Sequence, residues 1–259
     1  MVGARYYTDP ACPGSWSWEP AVRRLMGEFG DNLSWTYVMG GLARDYTKVA
    51  GGPEAISADW LDVADEGGMP VDPRLWREGG IGSSYPACMA VKAAADQAPD
   101  GGYRYLRGLR EGLMCFRRKL DTTEALVEEA RRAGLDLGRF RADLGSSATV
   151  EAFGGDLEET RAAGIALPAI AFGTEAGVSG PVPYEELRAA AVAAGAQPSG
   201  EPAPSVEEAL RRFGTMATAE VAEVCGLPGP RAPAELWRLA TEWRVRPVRV
   251  LTGDLWELA

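Results

Sequence analysis

A single Cys-Pro-Gly-Ser quartet, Cys12 to Ser15, is the part of this chain whose residue types are best suited to chemistry. Strand-forming residues precede it, and an amphipathic run, Trp16 to Phe29, follows it directly. A cysteine at the start of a helix lies beside unpaired backbone N–H groups and the positive end of the helix dipole. Such settings lower a thiol pKa from about 8.5 to roughly 3.5–7.5. The position therefore predicts that Cys12 ionises readily and acts as a nucleophile, the alternative being a buried structural cysteine.

The other polar residue types restrict what this quartet could do. The four cysteines have no paired or metal-type spacing, so the sequence predicts neither a disulfide framework nor a metal site. Histidine is absent, which excludes a histidine general base and every dyad that contains one. Asp9 precedes the quartet, where its charge would disfavour a Cys12 thiolate, or where it only forms a turn. Three cysteines are predicted to pack in the core, namely Cys88, Cys115 and Cys225.

The elements that hold the quartet form a β-α-β unit. Residues 3–8 and 33–39 are rich in strand formers, and residues 16–29 place apolar side chains at helical spacing. Two consecutive strands joined by a helix are parallel, with a right-handed crossover.

Residues 42–150 depart from this pattern and are predicted to be mostly helical. The portion 49–82 carries many glycines and prolines and is predicted to be loop-rich, with a short helix at 57–66. Regular helices are predicted at 85–97, 102–116, 122–133 and 137–144. The third of these has the best-defined ends, with a threonine cap before it and Gly134 after it.

The α/β pattern resumes after a helix near residues 150–163. The apolar segment 165–172 contains Pro168, and a strand is predicted to begin at this proline because proline has no N–H to donate within a sheet. A last strand at 177–180 and a closing helix at 183–194 follow.

Beyond a linker rich in proline, glycine and serine, the chain ends in a small separate unit. Three short helices are predicted at 206–213, 218–225 and 234–243, followed by a hairpin at 245–258. Three helices and a hairpin resemble a winged helix. Seven arginines against seven glutamates and one aspartate give this unit a charge of about −1, which disfavours DNA binding and favours packing or protein contact.

Composition points to protein or small-molecule partners. The net charge of −10 argues against a nucleic-acid or anionic-membrane role. No segment has the length and apolarity of a membrane span, and no signal-peptide pattern precedes the first strand, so a cytoplasmic location is expected.

The run DPxCPxSW between a strand and a helix resembles the DsbA-like branch of the thioredoxin superfamily. That branch includes FrnE-type proteins, 2-hydroxychromene-2-carboxylate isomerases and YjbH-type protease adaptors. The resemblance covers roughly the first 195 residues and implies an α/β, thioredoxin-like fold with a helical insertion. The small C-terminal winged-helix-like domain lies outside this resemblance. The expected boundaries are 1–50 and 150–197 for the thioredoxin-like domain, 51–149 for the insertion, 198–204 for the linker and 205–259 for the last domain.

The same resemblance implies which residues form the site. Leu167-Pro168 would be the cis-proline element that faces Cys12 across a groove, and Ser15 stands where a dithiol enzyme has its resolving cysteine. Ser15 would either hydrogen-bond the Cys12 thiolate or cap the helix. Trp16 is expected at the rim of the groove. Substrate contacts are expected from Pro13, Gly14, Trp16 and Leu167.

The function expected from this site is monothiol exchange. Cys12 would form mixed disulfides with protein or low-molecular-weight substrates, with no bound cofactor. Glutathione or mycothiol as co-substrate, or one of Cys88, Cys115 and Cys225, would then resolve the mixed disulfide. One alternative is a redox-inactive, protein-binding adaptor. Another is a glutathione-dependent isomerase or transferase, although those relatives have serine where this chain has Cys12.

Overall fold

The computed structural model describes residues 1–98, 100, 102–174 and 177–259. Its main sheet has four strands, in the order β2-β1-β3-β4. The first two strands are parallel, as predicted, and β3 runs antiparallel to β1 and β4. The strands are β1 (Val2–Thr8), β2 (Leu33–Met39), β3 (Ala169–Phe172) and β4 (Val178–Ser179). Within the described residues, no helix is both long and apolar enough to span a membrane.

The helix predicted at residues 16–29 is two helices, α1 (Pro13–Ser17) and α2 (Glu19–Phe29). They meet at Trp18, two residues before Pro20. Proline has no N–H for the hydrogen bond to the fourth preceding carbonyl, and its ring crowds that carbonyl. The chain therefore breaks just before Pro20, and α1 is only one turn and a half long.

Among the described residues, seven α-helices lie between β2 and β3, six of them in the predicted insertion, and the first of them is longer than predicted. They are α3 (Gly52–Gly67), α4 (Arg74–Arg77), α5 (Tyr85–Ala95), α6 (Tyr103–Met114), α7 (Thr123–Arg132), α8 (Leu137–Leu144) and α9 (Ser147–Ala162). The prediction of a loop-rich 49–82 is wrong over α3, because its glycines and prolines lie at the two ends of the helix. The cap predicted before α7 is confirmed, since the Thr122 hydroxyl accepts a hydrogen bond from Ala125 N.

The last helix of the thioredoxin-like part, α10 (Tyr184–Ala193), follows β4 and packs on α2. The main core joins side chains of the sheet to those of the insertion, among them Tyr6, Trp16, Trp60, Leu106, Phe140 and Phe172. The sheet and the inserted helices therefore fold around one shared interior.

The C-terminal unit has its own small core beside the main one. Its elements are α11 (Val206–Phe213), β5 (Met216–Ala217), α12 (Thr218–Val224), α13 (Arg231–Thr241), β6 (Val245–Arg249) and β7 (Asp254–Leu258). The three strands form an antiparallel sheet in the order β5-β7-β6, of which β5 was not predicted. Leu210, Val221, Leu236 and Trp256 meet in its core. The winged-helix resemblance stays a prediction; the packing of α12 against α2 is observed.

Candidate functional site

Cys12 lies at the junction of β1 and α1, where the sequence places it. It is the N-cap residue of α1, and its Sγ accepts a hydrogen bond from Ser15 N at 3.4 Å. Its own N–H donates to the Asp9 carbonyl at 3.1 Å. Only 3% of Cys12 is exposed, so the thiol faces the interior of the protein.

The expected low pKa of Cys12 is not found. Burial raises the pKa of the thiol above its ordinary value, and the nearby Asp9 carboxylate adds to the rise. The Ser15 side chain and amide, and the Arg110 guanidinium, lower the Cys12 pKa without cancelling the effect of burial. Because α1 has only five residues, few peptide dipoles are aligned on the sulfur. The helix start therefore does not offset the effect of burial on the Cys12 pKa.

The structure separates the two roles considered for Ser15. Its hydroxyl accepts a hydrogen bond from Thr8 Oγ1 at 2.8 Å and is fully buried. The side chain that caps α1 is Cys12, not Ser15. Ser15 therefore links the quartet to the end of β1, while its side chain and amide lower the Cys12 pKa.

Leu167 and Pro168 pack over two glycines, Gly14 of α1 and Gly40, which follows β2. The Leu167–Pro168 peptide bond is cis. A Cβ on Gly14 would lie 3.0 Å from Pro168 Cδ, and one on Gly40 would lie 2.6 Å from a Leu167 methyl carbon. Pro13, Gly14 and Leu167 are half-buried, so part of each residue remains accessible, and their contact with a substrate stays a prediction.

Trp16 was expected at the rim of the predicted groove between Cys12 and Pro168, but the structure places it elsewhere. It is fully buried, and its Nε1 donates to the Pro70 carbonyl at 3.0 Å. The Arg107 guanidinium lies 4.4 Å from the centre of its ring. Trp16 therefore fills the space between α1 and the insertion and cannot contact a ligand in the groove.

Asp9 joins three segments around the quartet. Its carboxylate accepts hydrogen bonds from Ala11 N at 2.7 Å, Leu42 N at 2.6 Å, Ser84 Oγ at 2.7 Å and Cys88 Sγ at 3.2 Å. Burial raises the pKa of Asp9, and the amides of Leu42 and Ala11 oppose that rise. The prediction that Asp9 disfavours a thiolate at Cys12 is confirmed in direction, and the residue is also a structural hub.

Replacing Asp9 by asparagine is expected to lower the free energy of unfolding by about 1–3 kcal/mol, since one acceptor oxygen becomes an NH₂ group that faces donors. Urea unfolding measures the loss. Asp45→Asn is the matched control, because Asp45 also accepts from a backbone amide, that of Thr47, but in an exposed loop. Equal losses in the two variants would contradict the role of Asp9 as a hub.

Sequence reasoning missed a buried charge cluster behind the quartet. It contains Glu19 and Arg23 of α2, Arg107 and Arg110 of α6, and Glu220 of α12, each at most 4% exposed. The sequence does show charged residues at helical spacing among apolar ones. No local pattern, however, indicates which of these charges pair in the folded chain.

Glu19 and Glu220 are the two anions of this cluster. Arg107 bonds both oxygens of Glu220, at 2.8 and 2.9 Å, and lies 3.2 Å from Glu19. Arg23 lies 3.2 Å from Glu220 and 3.5 Å from Glu19. Burial alone would raise the pKa of Glu19, but the three guanidiniums, that of Arg110 first, hold it below its ordinary value. The cluster thus ties α2, the insertion and the C-terminal unit together.

Arg110 connects the charge cluster to the cysteine. Its guanidinium bonds both Glu19 and the Thr8 hydroxyl, which in turn donates to Ser15. A continuous path of polar contacts therefore runs from Glu220, through Arg107 and Glu19, to the Cys12 quartet.

Comparison with known proteins identifies relatives of this site. A family model described as thioredoxin matches residues 6–177. The ClpXP adapter protein SpxH of Halalkalibacterium halodurans is 31% identical over 264 residues, covering 96% of this chain and 86% of the relative.

Solved structures show the same fold at lower identity. A candidate protein disulfide isomerase from Nitrosomonas europaea superposes with a TM-score of 0.68 at 19% identity, over 74% of this chain and 97% of that one. The cytosolic disulfide reductase DsbM from Pseudomonas aeruginosa gives 0.59 at 18% identity, over 73% and 92%. At such identities the likeness concerns the fold alone.

Proposed function

The chain belongs to the thioredoxin family and, within it, to the group of the ClpXP adapter proteins SpxH, and on this premise we propose that it is a protein-binding adapter that delivers client proteins to a ClpXP-type protease. The observation that carries the proposal is how much of this chain is matched by the solved structures and how much by the adapter relative. The disulfide isomerase and reductase structures are covered almost whole by about three quarters of this chain. The adapter relative extends over nearly all of it, including the C-terminal unit.

The state of the quartet supports binding over redox catalysis. A dithiol enzyme needs a nucleophilic thiolate and a second thiol to release the mixed disulfide. Here the pKa of Cys12 is raised by burial, and the second position is Ser15, whose hydroxyl is bonded to Thr8. The thioredoxin fold then serves as a rigid scaffold for protein contacts.

The direct test uses purified chain, ClpX and ClpP. We expect the chain to bind ClpX, and proteins that accumulate in cells lacking the chain to be degraded by ClpXP in vitro only when the chain is added. A chain that neither binds ClpX nor accelerates the degradation of any such protein is not an adapter of this protease.

Replacing Cys12 by serine is expected to leave ClpX binding and client degradation within about twofold of the unmodified chain, because the thiol is buried and makes no surface contact. Degradation rates of the same client measure this. A more than tenfold loss in the variant, with an unchanged unfolding midpoint, would assign the essential step to the thiol.

Monothiol exchange is the second candidate, favoured by the position of Cys12 at a helix N-cap beside Leu167–Pro168. The Cys12 thiolate would attack a substrate disulfide and release one substrate thiolate. Glutathione or mycothiol would then attack the resulting mixed disulfide and free Cys12. Monothiol exchange therefore requires a reactive thiol at Cys12.

A further inference from the structure

A large cavity lies where the sheet, the insertion and the C-terminal unit meet. Its volume is about 1020 Å³, and it is bordered by β2, α6 and the end of α11. The Cys12 quartet does not border it. The residues around Leu33 lie at the start of β2, whereas Cys12 follows the last residue of β1, so the two sites are at opposite ends of parallel strands.

One border of this cavity is an open sheet edge. Among the described residues, β2 pairs with β1 and with no other strand. Leu33, Ser34 and Trp35 of β2 line the cavity. An edge strand presents unpaired N–H and C=O groups that another extended segment can bond.

Three aromatic rings form one wall of the cavity. Trp35 and Tyr37 are nearly parallel, with centroids 6.4 Å apart and planes at 10°. Tyr103 of α6 continues the row, 5.7 Å from Tyr37 and tilted by 23°. Trp35 and Tyr103 are half-buried, whereas Tyr37 between them is buried, so the two ends of this wall offer apolar surface to an occupant.

The cavity is basic in an otherwise acidic chain. Five arginines line it against two aspartates, Asp31 and Asp100. Arg23 and Arg107 are held by the buried cluster, and three arginines remain near the opening: Arg104, Arg211 and Arg212.

Arg212 is the most available of these three cations. It contacts the Met26 and Gly27 carbonyls and, within the described residues, has no carboxylate partner. Arg104 and Arg211 are only loosely paired, at 4.0 and 3.8 Å from Asp100 and Glu207. Acidic side chains of an occupant would thus find one arginine without a carboxylate partner among the described residues and two that are only loosely paired.

We propose that this cavity receives an extended, acidic segment of the client protein. The segment pairs with β2 as a fifth strand and lays apolar side chains on the Trp35–Tyr37–Tyr103 wall. Its carboxylates lie against Arg104, Arg211 and Arg212. The inference rests on the proposed adapter function, since it names the surface that holds the client. It assigns recognition to the end of the sheet remote from Cys12.

The probe is a fluorescein-labelled peptide, Glu-Tyr-Glu-Leu-Glu-Phe-Glu, whose binding to the full chain is followed by fluorescence anisotropy. We expect saturable binding that weakens with salt, and none with the lysine-for-glutamate peptide. Arg212→Glu should weaken binding at least about tenfold. Arg141→Glu is the matched control, because Arg141 is also exposed and, in the part of the chain described, forms no ion pair, but it lies on α8 away from the cavity.

Strand pairing has its own readout. Alternate N–H groups of an added strand face β2, so methylating one alternate set of peptide nitrogens should weaken binding at least about tenfold, while methylating the other set should not. Equal effects of the two sets would overturn the fifth strand and leave a general anion site. Absence of binding, or binding insensitive to Arg212→Glu, would overturn the cavity as the site.

ClpX binding by the same preparation keeps the two proposals separate. If the chain binds ClpX and the peptide does not bind the cavity, the inference about the cavity fails and the adapter function stands. If the chain binds neither ClpX nor a client, the adapter function itself fails.

Discussion

Replacing Glu220 by glutamine is expected to lower the free energy of unfolding by about 3–5 kcal/mol. Glu220 is fully buried on α12 and bonds Arg107 through both carboxylate oxygens. It also lies 3.2 Å from Arg23. The substitution keeps the size of the side chain but removes one of the two fully buried anions that offset three buried guanidiniums.

The expected loss is large because a buried charge without its partner has neither water nor a counterion to stabilise it. Exposed pairs behave differently, since water screens them and few contribute more than about 1 kcal/mol. Glu220 also accepts a hydrogen bond from Ala217 N–H on the same segment, and the glutamine oxygen can still accept this bond. The loss thus reports the charge and not the helix cap.

The matched control is Glu223→Gln on the same helix. Glu223 pairs with Arg24 at 2.8 Å, but the two side chains are 34% and 36% exposed. Urea unfolding of the full chain should show a loss under about 1 kcal/mol for this variant. Limited proteolysis in the linker, residues 198–204, should accelerate only in Glu220→Gln, because the C-terminal unit then separates more easily. Equal losses in the two variants would show that the cluster does not hold this unit.

How much of the fold could be predicted from the sequence depends on how far apart in the chain the interacting residues lie. Strand β2 and the helices α8 and α11 were predicted at their observed bounds, because alternation, helical periodicity and end-capping residues are all local. Helix α3 was predicted only over residues 57–66, and its first turn was missed. Its Gly52-Pro53 and Gly67-Gly68 mark the two ends of the helix. The number of glycines and prolines alone does not distinguish the ends of a helix from a loop.

The contacts of the quartet were easier to predict than its electrostatics. Ser15 N bonds Cys12 Sγ, and Pro168 lies close to Gly14 of the same quartet, while the role of these residues as a site stays a prediction. The pKa of Cys12, however, depends on burial beneath an insertion of about a hundred residues, and Trp16 was turned inward by contacts with Pro70 and Arg107. Arg107 and Glu220 are 113 residues apart, so only the folded chain brings them together.

In the native protein at pH 7.5, Cys12 is expected to react with iodoacetamide at least about tenfold more slowly than in the urea-unfolded chain. The thiolate is the reactive form, and each unit by which a pKa is raised lowers the thiolate fraction about tenfold below that pKa. Burial raises the pKa of Cys12 and also limits access to Sγ. The native rate should keep rising through pH 9, where a free cysteine, with a pKa near 8.5, is already mostly ionised.

The sign of the linked effect on stability follows from the same shift. Because the folded pKa of Cys12 lies above the unfolded value of about 8.5, the contribution to stability is complete below that pH and is lost as the pH rises towards the folded pKa. Cys12→Ser should therefore reduce the loss of stability between pH 8 and 10, as measured by urea unfolding at each pH.

Peptide mass spectrometry assigns the alkylation rate to each cysteine, with the buried Cys88 and Cys115 as internal controls. A Cys12 rate that levels off below about pH 7.5, faster than in the unfolded chain, would contradict a buried neutral thiol and favour monothiol exchange with glutathione or mycothiol. Slow alkylation combined with intact ClpX binding would leave the thiol without a catalytic step. The residues around Cys12 would then act through packing, since Ser15, Thr8 and Arg110 connect Cys12 to the buried charge cluster that contacts the C-terminal unit.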